Sequence, residues 1–125
     1  MRFSQPVSDD MRQSILIADD DNSIVELLTE VFSKLGLTVF RADNGIDAWD
    51  LFTNRQIDFV LTDIKMPGLD GSELSRRIRR QRPSIRIAVM TGGDSVIATE
   101  LLKEGTADFF FPKPFNLAKV FALVE

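Results

Sequence analysis

From Ile15 onward, short unbroken apolar runs alternate with stretches whose apolar residues recur at helical spacing. That alternation is what βαβ units stacked around a parallel sheet require, because strands covered on both faces carry no polar face of their own. Ile15 to Ala18 is the first such run, followed by a Ser23/Glu26 capping box and by Ile24, Leu27, Leu28, Val31 and Leu35, up to a stop at Gly36. Leu37 to Ala42 mixes Thr38 and Arg41 into the run, as suits a sheet edge, and Asn44-Gly45 turns the chain into a helix carrying Ile46, Trp49 and Phe52. Phe59 to Thr62 is the third strand. After the Met66-Pro67-Gly68 turn a helix starts near Gly71 or Ser72, buries Leu74 and Ile78, and ends before Pro83. Ile85 to Met90 is the fourth strand. Asp94 or Ser95 caps the next helix, which carries Ile97, Leu101 and Leu102 and closes at Gly105. Ala107 to Phe111 is the fifth strand, and Leu117, Val120, Phe121 and Val124 trace a last, short helical pattern that reaches the final residues with no stop signal. Such an ending is expected of a piece cut from a longer protein or of a short natural version of the domain.

The chain of 125 residues has room for one domain, over residues 14–125, preceded by a polar leader at 1–13 with no apolar run fit for a signal sequence. No run approaches the length needed to cross a bilayer, so a cytoplasmic location and no membrane partner are expected. No internal repeat or low-complexity tract is visible. A net charge of −4 argues against direct nucleic-acid binding, and the one basic cluster, Arg76, Arg77, Arg79, Arg80 and Arg82, reads as the solvated face of a helix.

With no cysteine, disulfides and thiolate chemistry are excluded. The absence of histidine removes the commonest general base and rules out a phosphohistidine carrier, which leaves acids to do the chemistry. Ligands of open α/β sheets bind beyond the carboxyl ends of the strands. The polar residues at those ends are Asp19, Asp20 and Asp21 after strand one, Asp63 after strand three, Thr91 after strand four, and Pro112-Lys113-Pro114 after strand five. Singly each reads as a cap, a turn residue or a space filler, Asp21 in particular as a cap; together they converge on one edge of the sheet. Crowded carboxylates repel one another unless a cation sits among them, and the Asp19, Asp20 and Asp63 group offers the hard oxygen donors that Mg2+ prefers. A carboxylate can attack phosphorus, and phosphoryl transfer then needs mainly alignment and charge neutralisation by the metal, the Lys113 ammonium and the Thr91 hydroxyl.

Four motifs, the acids in Ile17-Ala18-Asp19-Asp20-Asp21, the stretch from Asp58 to Gly71 with Asp63 and Met66-Pro67-Gly68, the Met90-Thr91 strand end and Phe111-Pro112-Lys113-Pro114-Phe115, resemble the receiver domain of two-component response regulators over about residues 14 to 125. The resemblance implies a doubly wound, flavodoxin-like sheet of five parallel strands in the order 2-1-3-4-5. It implies Asp63 as phospho-acceptor, Asp20 and Asp63 as direct Mg2+ ligands, Asp19 as a ligand mostly through water, and the Lys65 carbonyl as the last protein ligand. Thr91 and Lys113 are implied as phosphate contacts, with a cis Lys113-Pro114 bond. Phe110 falls at the switch aromatic, where tyrosine is also common and where its alternative reading is a plain core residue between Phe109 and Phe111. The implied donor is a histidine kinase or histidine phosphotransfer protein, and the implied output surface, for an output domain or a homodimer, is the helix 4/strand 5/helix 5 face. Lys65 and Gly93, each two residues beyond a site residue, are expected to tune the lifetime of the phosphoryl group.

The domain is thus expected to be a regulatory phospho-acceptor and not an enzyme with an external substrate. A magnesium-dependent aspartyl-nucleophile phosphatase would want a second acid where Lys65 stands. A degenerate receiver that only binds proteins would not need the acids, Thr91 and Lys113 together. A nucleotide or flavin domain would need a phosphate cradle where Asp19 to Asp21 repel anions.

Overall fold

A computed structural model describes residues 12–93 and 95–125. The expected leader therefore lies largely outside the described residues, as does the capping role considered for Asp94.

Five strands, β1 (Ser14–Ala18), β2 (Thr38–Ala42), β3 (Phe59–Asp63), β4 (Arg86–Thr91) and β5 (Phe109–Pro112), form one parallel sheet in the order β2-β1-β3-β4-β5. The helices α1 (Asn22–Lys34), α2 (Gly45–Asn54), α3 (Gly71–Gln81), α4 (Ser95–Lys103) and α5 (Leu117–Val120) make the crossovers and the closing turn. This is the doubly wound fold and strand order expected from the sequence. β1 and β3 are buried at every position, as continuous apolar runs in a central parallel strand must be.

Alternate residues of each strand feed two separate cores. Leu16, Val60, Ile87 and Val89 meet Ala48, Phe52, Leu74, Ile78, Ala98 and Leu101 from α2, α3 and α4 on one face. Ile15, Ile17, Phe59, Leu61 and Met90 meet Val25, Leu28, Phe32, Val120 and Leu123 from α1 and the C-terminal turns on the other.

Local expectations are corrected at several points. Asp21, not the Ser23/Glu26 box, caps α1: its carboxylate accepts from Ser23 N at 3.0 Å and Ile24 N at 3.4 Å. The buried stripe of α1 is Val25, Leu28 and Phe32, leaving the expected core residues Leu27 and Leu35 45% and 52% exposed. Ile46 of α2 is likewise 61% exposed. β5 begins at Phe109 instead of Ala107, because the Asp108 carboxylate leaves the strand line to accept from Ile87 N at 2.9 Å. The last helix is a single turn that tightens into a 3-10 turn at Phe121–Leu123.

The arginines of α3 are not uniformly a solvated face. Arg79 donates to the carbonyls of Thr106 (3.0 Å), Pro83 (2.9 Å) and Ile85 (2.5 Å) and to the Asp108 carboxylate (2.8 Å), tying α3 to the turns that start β4 and β5. Arg82 donates to Ile57 O at 2.6 Å, and Arg76 makes a two-point pair with Glu104 at 2.8 and 3.0 Å.

Candidate functional site at the carboxyl edge of the sheet

The polar residues that end the apolar runs meet at one rim. Asp19 follows β1 and is fully buried, Asp20 beside it is exposed, and Asp63 is the last residue of β3. Carboxylate oxygens of Asp19, Asp20 and Asp63 all lie within 4.8 Å of one another. Lys113, carried in from the end of β5, places its Nζ 2.7 Å from Asp19 Oδ2 and 3.3 Å from Asp63 Oδ2. The Lys113-Pro114 bond is cis, as the sequence motif implied.

Backbone contacts fix this geometry. Ile64 N donates to Met90 O at 3.1 Å and to Asp63 Oδ1 at 2.9 Å, so one acceptor-strand oxygen is held by its own chain while Oδ2 faces the ammonium. Lys113 N donates to Thr91 O at 2.9 Å, which locks the loop after β5 to the end of β4. Thr91 is buried and its Oγ1 accepts from Gly93 N at 3.1 Å. Asp19 Oδ1 accepts from Asp21 N at 3.0 Å.

Charge inside this rim is unevenly compensated. Burial first, and then the neighbouring Asp19 carboxylate, push Asp63 up from 3.8 to about 6, against the opposing pull of Lys113. Burial disfavours the Lys113 ammonium, but its hydrogen bond to Asp19 and the two carboxylate charges outweigh that and hold it above its ordinary range. One ammonium thus serves two buried carboxylates with a third close by. Three hard oxygen donors with an excess of negative charge are the donor set that fits a divalent cation such as magnesium.

The remaining predicted residues take different places. Lys65 is exposed in the loop after β3. Phe110 pairs with Val89 across β4 and is half-buried against the core of α2, α3 and α4, while Phe109 and Phe111 point to the opposite face, their rings stacked at 5.9 Å. Two features escaped the sequence reading. Gly71 sits so close to the end of β3 that a Cβ there would stand 1.8 Å from Asp63 O. A cavity of about 300 Å³ beside Asp19 is lined in part by Asn22, Arg41, Asp43 and Asp47, none of which belongs to a motif.

The sequence profile of the response regulator receiver domain matches residues 15–125. Sporulation initiation phosphotransferase F of Bacillus subtilis (strain 168) is 39% identical over 110 residues, covering 88% of this chain and 89% of that protein. The DNA-binding transcriptional regulator NtrC of Azospirillum brasilense is 36% identical over 112 residues, covering 90% of this chain but 23% of the relative. Among solved structures, a CheY-like response regulator receiver domain protein from Methanospirillum hungatei JF-1 aligns with a TM-score of 0.84 at 26% identity, over 90% of both chains. A signal receiver domain of an HD domain-containing protein from Pseudomonas fluorescens Pf-5 aligns at 0.83 and 27%, over 90% of this chain and 91% of that one. A profile match over residues 15–125, with a relative 39% identical over 88% of the chain, means that this chain belongs to the receiver domain family of two-component response regulators.

Proposed function

We propose that the domain is a phospho-acceptor switch that takes a phosphoryl group on Asp63 from the phosphohistidine of a histidine kinase or phosphotransfer protein, in a magnesium-dependent reaction. The observation that carries this reading is Lys113 Nζ lying 2.7 Å from Asp19 and 3.3 Å from Asp63, within a cluster whose third acid is Asp20. Such an arrangement supports nucleophilic attack by a carboxylate flanked by positive charge, with no need for a general base.

Asp63 Oδ2 is the nucleophile, since Oδ1 is engaged by Ile64 N. The new Oδ2–P bond forms as the P–N bond of the donor breaks, and its electron pair stays on the departing imidazole. Lys113 turns from Asp19 toward the incoming phosphoryl oxygens, and the Thr91 hydroxyl, which accepts from Gly93 N, still has its proton to donate to another. Asp20, Asp63 and the Lys65 carbonyl would hold magnesium directly and Asp19 mostly through water, and the ion when bound would supply the remaining positive charge. The burial of Asp63 limits the access of bulk water to the acyl phosphate once it has formed.

The output side of this reading is the face of α4, β5 and α5. Phe110 and Ile97 of α4 pack against the same core cluster, which couples the ring to that face. Lacking a hydroxyl, that ring acts by packing alone. The family is regulatory, and turnover of an external phosphate ester is not part of the proposal. Among the described residues no helix is long and apolar enough to cross a membrane.

Incubation with acetyl phosphate, followed by intact-mass measurement, tests the reading. One phosphoryl mass is expected on the wild type with magnesium, and none on Asp63→Asn or after chelation. Equal labelling of Asp63→Asn would refute the assignment.

A further inference from the structure

A second surface lies between α2, α3 and the loop that joins β3 to α3, and none of its lining residues belongs to the acid cluster. There a cleft of about 290 Å³ is lined by Ile46, Trp49, Gly68, Leu69 and Arg77. Its walls are fixed: a Cβ on Gly45 would stand 1.7 Å from Leu69 O, so the start of α2 is pressed directly on the loop, and the Trp49 and Phe52 rings stack at 5.7 Å behind it. Ile46 is 61% exposed at the mouth although it is a large apolar side chain on a well-formed helix. A contiguous apolar surface rimmed by charge is the mark of an interaction site, whereas scattered exposed apolar residues are not.

On the α3 side the charge is mostly positive. Between residues 71 and 86, Glu73 is the only carboxylate among Arg76, Arg77, Arg79, Arg80, Arg82 and Arg86. Arg76, Arg79 and Arg82 are engaged with Glu104, Asp108 and backbone carbonyls. Arg77 and Arg80 share the single Glu73 carboxylate, at 3.3 and 3.5 Å, and Arg77 also lies over the Trp49 ring at 5.9 Å. Two guanidiniums with one exposed counter-ion, at distances where such pairs contribute little, leave positive charge beside an apolar cleft.

We propose that this cleft is a docking site for an acidic amphipathic segment of a partner protein, with one bulky apolar side chain entering between Ile46, Trp49 and Leu69 and flanking carboxylates meeting Arg77 and Arg80. The volume is at the bottom of the range for small-molecule pockets and suits one side chain. Trp and Arg side by side are also the residue types that anchor protein interfaces. A nucleic acid is the poorer fit, since two guanidiniums that share one carboxylate on a chain of net charge −4 offer little to a phosphate backbone and the floor is apolar.

Trp49 is the only tryptophan of the chain, so its fluorescence reports this cleft. The probe is a synthetic amphipathic helical peptide with leucines on one face and glutamates on the other, and its control carries lysine at every glutamate position. The glutamate peptide is expected to change Trp49 emission saturably, and Arg80→Glu and Ile46→Ser each to weaken binding about tenfold. Both side chains are exposed, so thermal unfolding of the two variants stays at the wild-type temperature. A flat response, equal binding of the lysine peptide, or binding untouched by Arg80→Glu overturns the proposal. So does an emission change that follows self-association in sedimentation without peptide, which would put a second copy in the cleft. Binding of a single-stranded oligonucleotide that displaces the peptide and ignores Ile46→Ser overturns it as well.

Discussion

Gly71 illustrates how a residue with no side chain can decide where Asp63 sits. A Cβ at this position would meet Asp63 O at 1.8 Å and Ile64 Cα at 2.8 Å, and both are backbone atoms that cannot swing aside. Gly71 N also donates to Ile64 O at 2.6 Å, so the first residue of α3 rests on the residue after Asp63. Gly71→Ala is therefore expected to destabilise by more than about 2 kcal/mol and to lower acetyl phosphate labelling. Gly93, with nothing within 4 Å of the corresponding Cβ, is the control: Gly93→Ala stays within about 0.5 kcal/mol. Urea denaturation of the two variants measures both, and equal stabilities would show that the close approach is not rigid. The contrast also marks what single residues disclose before folding. Asp19, Asp20, Asp63, Thr91 and Lys113 could be picked out because each is a polar residue ending an apolar run, a purely local signal. The need for glycine at 71 arises where the start of α3 presses on the end of β3, and the lodging of Arg79 among three carbonyls where α3 meets the turns that begin β4 and β5, and neither residue type announces such a contact.

For whole elements the same division holds, and α1 shows why. Its apolar residues, Ile24, Val25, Leu27, Leu28, Val31, Phe32 and Leu35, cover more than one helical stripe, so their spacing establishes a helix but not which side faces in. Packing against Ile15, Ile17, Phe59 and Leu61 selects Val25, Leu28 and Phe32 and turns Leu27 and Leu35 to the solvent. The start of α1 was open in a similar way. Asp21 and Ser23 are both good capping residues, and the tie is broken by β1, which leaves the sheet with Asp19 Oδ1 accepting from Asp21 N and so aims the Asp21 carboxylate at the helix N-terminus. Asp21→Ala is accordingly expected to cost about 1 kcal/mol in chemical denaturation, and Ser23→Ala less than about 0.5 kcal/mol. A larger loss from Ser23→Ala would restore the capping box. An edge strand and central strands were legible, because the polar residues of β2 and the unbroken runs of β1 and β3 separate an edge from a centre, whereas the full strand order came only from the family resemblance.

Across the molecule as a whole, the site places electrostatic repulsion at the end of two central strands, and that links global stability to pH and to divalent ions. Asp63 is raised from 3.8 to about 6, chiefly by burial and then by Asp19. A carboxyl with a native pKa above its unfolded value binds its proton more tightly when folded, so stability falls as pH rises from about 4 to about 6. The shift corresponds to at most about 3 kcal/mol. Asp63→Asn, which cannot ionise, should remove this slope while leaving that of the other groups. Magnesium should act in the opposite sense, because a cation bound only by the folded chain stabilises it, by about 2.7 kcal/mol at one hundred times its dissociation constant. A rise of several degrees in the unfolding temperature is expected at pH 7. The rise should be smaller at pH 5, where protons compete for Asp63, and smaller again in Asp63→Asn at either pH. Calorimetric scans of the metal-free and magnesium-loaded protein at the two pH values carry the test: a magnesium effect independent of both pH and Asp63 would move the cation away from this rim, and the account of charge compensation by Lys113 alone would have to stand in its place.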